Sequence, residues 1–232
     1  MRGSPQSRAG WVAVGKRWAA GPVIPQGEGD GHGGVPEGNP PPTSLPPQCT
    51  HRLTPEEDTR LWTQAAEAAV GIARAAGVPL VINDRVDVAL AVDADGVHIG
   101  QSDMPVAMVR RLLGADKIIG VSCKTADQAM RAWEGGADYI GVGGVFPTST
   151  KAGNLTIGVE GLRAVCEMSR VPVVAIGGIS KHNGATVLEY ASGTALEGVA
   201  VVSAIFDQPD IIRATRDLLE VVTVGKKGPE SQ

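Results

Sequence analysis

The sequence predicts an α/β protein whose parallel sheet curls toward a TIM (β/α)8-type barrel, incomplete, with about six βα units. Three observations predict it. Between Leu53 and Val222, short apolar runs alternate with amphipathic helical patterns six times, the order that produces parallel strands joined by right-handed crossovers. The runs are continuously apolar, as strands buried on both faces are. Residues able to do chemistry follow the C-terminal ends of nearly all six runs, whereas an open doubly wound sheet would gather them at one switch point.

The elements follow in order. Residues 27–48 read GEGDGHGGVPEGNPPPTSLPPQ, in which glycine and proline leave almost nothing to bury, so 1–52 is expected to be a disordered Gly/Pro-rich segment. Its apolar islands, Trp11–Val14 and Val23–Ile24, are too short and isolated to predict strands. The folded domain is expected over 53–224, with 225–232 a flexible tail. Thr54-Pro55-Glu56-Glu57 is a capping box with proline at the first helical position. Leu61, Ala65, Ala68, Ala69, Ile72 and Ala76 then share a helical face until Gly77 closes the helix. Strands are expected at 78–82, 96–99, 117–122, 138–143, 171–176 and 198–203. Helical patterns lie near 86–92, 105–113, 126–134, 158–169, 183–191 and 209–222, and Thr125-Ala126-Asp127-Gln128 forms a second capping box.

Composition narrows the function. The chain has 232 residues, the size of one domain, and with 3% aromatic residues its core must be built from Val, Ile, Leu and Ala. A formal charge of −4 provides no basic face on average, which argues against nucleic acid as a partner. No apolar run approaches the roughly 18 residues of a membrane span, so a soluble intracellular protein with no membrane partner is expected. Cys49, Cys123 and Cys166 lie far apart in no metal-ligand spacing and read as reduced, structural residues. The first 27 residues carry Arg2, Arg8, Lys16 and Arg17 and no acid, a pattern reminiscent of an organelle transit peptide.

The chemistry concentrates at strand ends. GVGGVFPTSTK at 141–151 has the composition of a phosphate cradle: glycines permit close backbone approach, Thr148, Ser149 and Thr150 offer hydroxyls, and Lys151 adds a mobile charge. Gly177-Gly178 and Val202-Ser203 end later strands, where barrels usually dock phosphate against backbone N–H groups. Asp84 and Asp103 follow two successive strands, so together they are able to hold Mg²⁺ with substrate oxygens completing its shell. Each also has a plainer reading, Asp84 as the cap of the following helix and Asp103 as the start of the next. Ser122 likewise reads as a phosphate donor or as a helix cap. His98 lies within a strand and reads as a packed core residue rather than an acid or base.

VIND at 81–84, GVHIGQSD at 96–103, IIGVS at 118–122, GGVFPTSTK at 143–151, VVAIGGI at 173–179 and GVAVVSAI at 198–205 together resemble thiamine phosphate synthase, in wording nearest the synthase domain of plant bifunctional thiamine biosynthesis enzymes. The resemblance runs from Thr54 to Val222. It implies a transferase that joins hydroxymethylpyrimidine diphosphate to a thiazole phosphate with release of pyrophosphate, with Mg²⁺ as cofactor. By the same resemblance Asn83 contacts the pyrimidine substrate, and Asp84 and Asp103 hold Mg²⁺. Ser122 and Lys151 bind the diphosphate as the catalytic pair, while Thr148, Ser149, Thr150, Gly177, Gly178, Val202 and Ser203 bind the thiazole phosphate. The compartment it implies is the chloroplast, otherwise the cytoplasm.

The family's first two strands, of the forms YAVTD and Gln-x-Arg-x-Lys, are missing here, as is the kinase domain of the plant enzymes. The chain thus reads as N-terminally truncated. The alternative reading is a catalytically impaired fragment or a thiazole phosphate-binding module, with open strand edges that invite self-association.

Overall fold

The computed structural model describes residues 12–14, 59–148 and 155–226. Seven strands form one parallel sheet in chain order: β1 (Val12–Val14), β2 (Leu80–Asn83), β3 (Gly96–Ile99), β4 (Ile118–Cys123), β5 (Tyr139–Gly143), β6 (Val173–Ile176) and β7 (Leu196–Ala200). Eight helices are described: α1 (Thr59–Ala75), α2 (Val86–Ala91), α3 (Val106–Leu113), α4 (Ala126–Glu134), α5 (Gly158–Met168), α6 (Gly184–Tyr190), α7 (Ser203–Phe206) and α8 (Ile211–Lys226). All six expected strands are present, and the α/β half-barrel is the fold.

Three expectations are corrected. The Trp11–Val14 island does supply a strand: Val12, Ala13 and Val14 pair in parallel with Leu80, Val81 and Ile82, making the sheet seven-stranded rather than six. Its physical basis is the open edge of β2, whose backbone groups need partners, and a Val-Ala-Val tripeptide whose two β-branched valines suit a strand. The last expected strand stops at Ala200, and Ser203 opens the short α7. The buried face of α1 is Trp62, Ala66, Val70 and Ala73, one position on from the expected stripe, while Leu61 and Ile72 are exposed. Apolar residues line several faces of that helix, and burying the large Trp62 indole selects the face that carries it.

The first capping box, at Thr54, lies outside the described residues. The second forms: the Thr125 hydroxyl accepts from Gln128 N at 3.2 Å, while Gln128 Oε1 reaches back to accept from Lys124 N at 2.7 Å.

Alternation along each strand divides the sheet into two faces. Leu80, Ile82, Val97, Ile99, Ile119, Val121, Ile140 and Val142 join helix residues such as Val109, Ala129 and Leu162 in the core between sheet and helices. The opposite, concave face carries Asn83, His98, Gly120, Ser122, Tyr139 and Gly141, so it is small and polar where the helix side is aliphatic. At the N-terminal strand ends the carboxylates serve the fold. Asp95 Oδ2 accepts from Leu80 N at 2.7 Å, Asp138 Oδ2 accepts from Ile119 N at 2.7 Å, and Arg110 bridges Asp138 to the Gly136 and Lys117 carbonyls.

Candidate functional site

The C-terminal strand ends gather the expected site residues that lie among the described ones. Asn83 ends β2 and is 4% exposed, and its Oδ1 is a buried acceptor with no hydrogen-bond partner among the described residues. Leaving a buried polar atom unsatisfied costs about 1–3 kcal/mol, so such an atom on a concave face marks a place for a donor. Asp84 follows at φ 61, a left-handed conformation that Asp tolerates better than most residues, and its N–H donates to the His98 carbonyl at 2.8 Å. It does not cap the next helix, whose N-cap position is Arg85. Asp103 does not cap α3 either, where Pro105 holds that position; its Oδ2 accepts from Gly100 N at 2.6 Å, closing the β3 turn.

Ser122 lies inside β4, and Thr125 performs the capping of α4, so the helix-cap reading of Ser122 is removed. The Ser122 Oγ sits 3.0 Å from His98 Nε2, and His98 Nδ1 lies 2.9 Å from the Tyr139 hydroxyl. Gln101 Nε2 donates to the Ser122 carbonyl at 2.7 Å, tying the β3 turn to β4. His98 is buried as expected, but on the concave face. Burial holds its imidazole down at about 4, and the Asp103 carboxylate opposes that shift. Burial raises the Tyr139 phenol above its ordinary value, so it remains an O–H group.

Sequence reasoning passed over Tyr139 and its link to Ser122. The signal was present: Gly120 and Gly141 interrupt strands, and glycine inside a strand marks the close approach of another group. A Cβ at Gly120 would collide with the Tyr139 ring, and one at Gly141 would meet His98 Cε1 at 3.1 Å.

The phosphate-side residues divide. Ser149, Thr150 and Lys151 lie outside the described residues. Thr148 is half-buried in the loop after β5, and that loop packs on the turn after β6: Val145 N donates to the Ile176 carbonyl and Phe146 N to the Gly177 carbonyl, both at 3.0 Å. Gly177 and Gly178 take φ values of 102 and 65, where glycine carries no Cβ penalty. Among the described residues the amides of Gly177, Gly178 and Ser203 donate to no other group, which leaves three donors at adjacent strand ends. Val202 is the N-cap residue of α7.

Cys123 and Cys166 are buried free thiols, pushed up by desolvation to about 12 and about 11, which keeps them protonated and unreactive at neutral pH. Cys49 lies outside the described residues. No group of three or more His, Cys, Asp or Glu side chains converges among the described residues. No helix among the described residues is long and apolar enough to cross a membrane.

A curled parallel sheet with helices on one face, and polar groups at the C-terminal strand ends of the other, places the chain in the class of barrel-type α/β proteins. Within that class the chain belongs to the thiamine monophosphate synthase family, whose profile matches residues 50–205. It is 57% identical over 173 residues to the chloroplastic thiamine biosynthetic bifunctional enzyme of Arabidopsis thaliana, covering 75% of this chain and 33% of that protein. It is 48% identical over 167 residues to the thiamine-phosphate synthase of Chloroflexus aurantiacus, covering 72% of this chain and 75% of that one. Among solved structures it resembles thiamine phosphate pyrophosphorylase from Pyrococcus furiosus, with a TM-score of 0.66 and 39% identity over 74% of this chain and 81% of that one. The chain spans about a third of the length of the plant relatives it matches.

Proposed function

We propose that the chain is a thiamine phosphate synthase-type transferase, joining hydroxymethylpyrimidine diphosphate to thiazole phosphate with release of pyrophosphate. The observation that carries this reading is the unpartnered Asn83 Oδ1, buried at the mouth of β2 and suited to accept from a substrate amino group. Around it the roles follow the chemistry. Ser122 donates its hydroxyl to the diphosphate, and Lys151 neutralises charge that develops there as the C–O bond to the pyrimidinylmethyl carbon breaks. The resulting cation is captured by the thiazole nitrogen. Thr148, Ser149 and Thr150, with the amides of Gly177, Gly178 and Ser203 beside Val202, hold the thiazole phosphate in place for that attack.

The donor chemistry at the mouth fits Mg²⁺. Asp84 and Asp103 are hard oxygen ligands on adjacent strand ends, and this ion is commonly held by one or two carboxylates with substrate phosphates and waters. When bound it would supply charge neutralisation to the leaving diphosphate.

The chloroplastic plant relatives and the acid-free stretch of the first 27 residues support a chloroplast location. β1 and β7 each have one strand neighbour among the described residues, which supports self-association through open edges. The test of function is to incubate the purified full chain with both substrates and Mg²⁺ and to measure pyrophosphate and thiamine phosphate. Stoichiometric formation of both is expected, and a Mg²⁺-loaded, folded chain that forms neither overturns the reading.

A further inference from the structure

The concave face holds two buried side chains that the reaction as described leaves unused, His98 and Tyr139, joined in line to Ser122. We propose that Tyr139, His98 and Ser122 form a proton-orienting relay that fixes His98 with its hydrogen on Nε2 and turns the Ser122 hydroxyl hydrogen outward toward a diphosphate oxygen. This rests on the synthase reading for the identity of the anion, and His98 and Tyr139 act as positioning residues.

A neutral imidazole has one donor and one acceptor nitrogen, so two arrangements are available. In the first, Tyr139 O–H donates to Nδ1, Nε2–H donates to the Ser122 oxygen, and the Ser122 hydrogen is free to point to substrate. In the second, every bond reverses: Ser122 donates inward to Nε2, Nδ1–H donates to the phenol oxygen, and the site presents an oxygen lone pair to an anion. A phenol is the better hydrogen-bond donor of the two hydroxyls, and an aliphatic hydroxyl the better acceptor, so the first arrangement matches each group to its stronger role. Desolvation keeps the imidazole neutral and the phenol protonated at neutral pH.

The surrounding backbone is shaped for these rings. Gly120 lies beneath the Tyr139 phenol and Gly141 beneath the His98 imidazole, each leaving the space a Cβ would fill. Gln101 Nε2 donates to the Ser122 carbonyl at 2.7 Å, so the hydroxyl swings from a tethered backbone. The relay thereby resolves an ambiguity a lone serine would have, because a hydroxyl beside an anion serves it only when its hydrogen faces that anion.

Two measurements on the full chain test this without requiring turnover. Nitrogen-15 NMR of histidine-labelled protein at neutral pH should show His98 as the Nε2–H tautomer; an Nδ1–H tautomer overturns the proposal. Calorimetric titration with Mg²⁺ and inorganic pyrophosphate should then show about tenfold weaker binding for Tyr139→Phe and for Ser122→Ala, and no further loss in the double variant. Additive losses, or binding unchanged in Tyr139→Phe, overturn it, as does a wild-type chain that does not bind pyrophosphate. A chain that binds pyrophosphate with the expected coupling yet makes no thiamine phosphate refutes the synthase reading and leaves the relay standing.

Discussion

Gly177→Ala should destabilise the fold and loosen the thiazole phosphate seat together. Gly177 sits at φ 102, and a Cβ there would lie 2.5 Å from Gly144 Cα and 3.2 Å from Val145 N, both backbone atoms that no rotamer change can move. Left-handed backbone costs an L-residue about 1–2 kcal/mol. Relieving the overlap requires the loop after β5 to retreat, which stretches the Val145–Ile176 and Phe146–Gly177 hydrogen bonds, a further loss of about 1–3 kcal/mol. For a chain of this size the sum lowers Tm by about 10 °C. Gly193→Ala is the internal comparison, because Gly193 has φ +76 but nothing within 4 Å of the added carbon, so only the backbone cost of about 1–2 kcal/mol applies. Thermal melts of both variants give the difference directly, and titration with thiazole phosphate reports the seat. Equal Tm losses in the two variants would refute the close packing of these loops, and unchanged thiazole phosphate affinity in Gly177→Ala would refute the placement of the anion.

Other perturbations separate the remaining roles. The unfolded chain protonates His98 near 6.5 and the folded chain only near 4, so this residue's contribution is full above about pH 6.5 and lost as pH falls toward 4, about 3 kcal/mol in all. Urea melts of metal-free protein should therefore show stability dropping between pH 7 and 4.5, with a flatter profile in His98→Gln; parallel profiles would assign the acid sensitivity elsewhere. Asp84→Asn and Asp103→Asn should each abolish the Mg²⁺ dependence of turnover, and Asn is preferable to Ala at 84 because it tolerates φ 61; wild-type Mg²⁺ titrations in both would remove the metal assignment. Lys151→Ala should lower kcat by about 10²–10³ with thiazole phosphate affinity little changed, and the reverse order of effects would move Lys151 to the acceptor side.

Most strands were legible because continuous apolar runs such as VVAI at 173–176 and IIGVSC at 118–123 stand between glycine turns and capped helices. β1 was not, since three residues among glycines and prolines form a strand only when a neighbouring edge supplies the pairing, and sequence periodicity cannot show that edge. The α1 stripe was misplaced because several alanines make adjacent helix faces nearly equivalent, and the tertiary position of Trp62 decided between them. Asn83, Asp84, Asp103 and Ser122 were singled out as candidates from the sequence, and the structure places all four at C-terminal strand ends. What the local pattern left open was whether each carboxylate or hydroxyl merely capped a helix, a question settled at Asp84, Asp103 and Ser122 by the caps observed at Arg85, Pro105 and Thr125. Tyr139 was missed because its partner is 41 residues away.

The two ends of the sheet use the same residue type for opposite purposes. At the N-terminal end Asp93 pairs with Arg74 and Lys117, Asp138 pairs with Arg110, and Asp95 satisfies a strand amide, so those carboxylates are committed to holding the fold. At the C-terminal end no Lys or Arg among the described residues forms an ion pair with Asp103, whose Oδ2 accepts from the turn amide of Gly100. A cation brought there by substrate would find charge that the fold has not already neutralised. The concave face repeats the arrangement in neutral groups, since Asn83 keeps an acceptor open while glycines 120 and 141 give their space to the rings that steer Ser122. The aliphatic layer beneath the helices and the paired carboxylates at the N-terminal ends carry the packing, and the C-terminal mouth keeps the Asn83 acceptor unsatisfied among the described residues, as a binding face does.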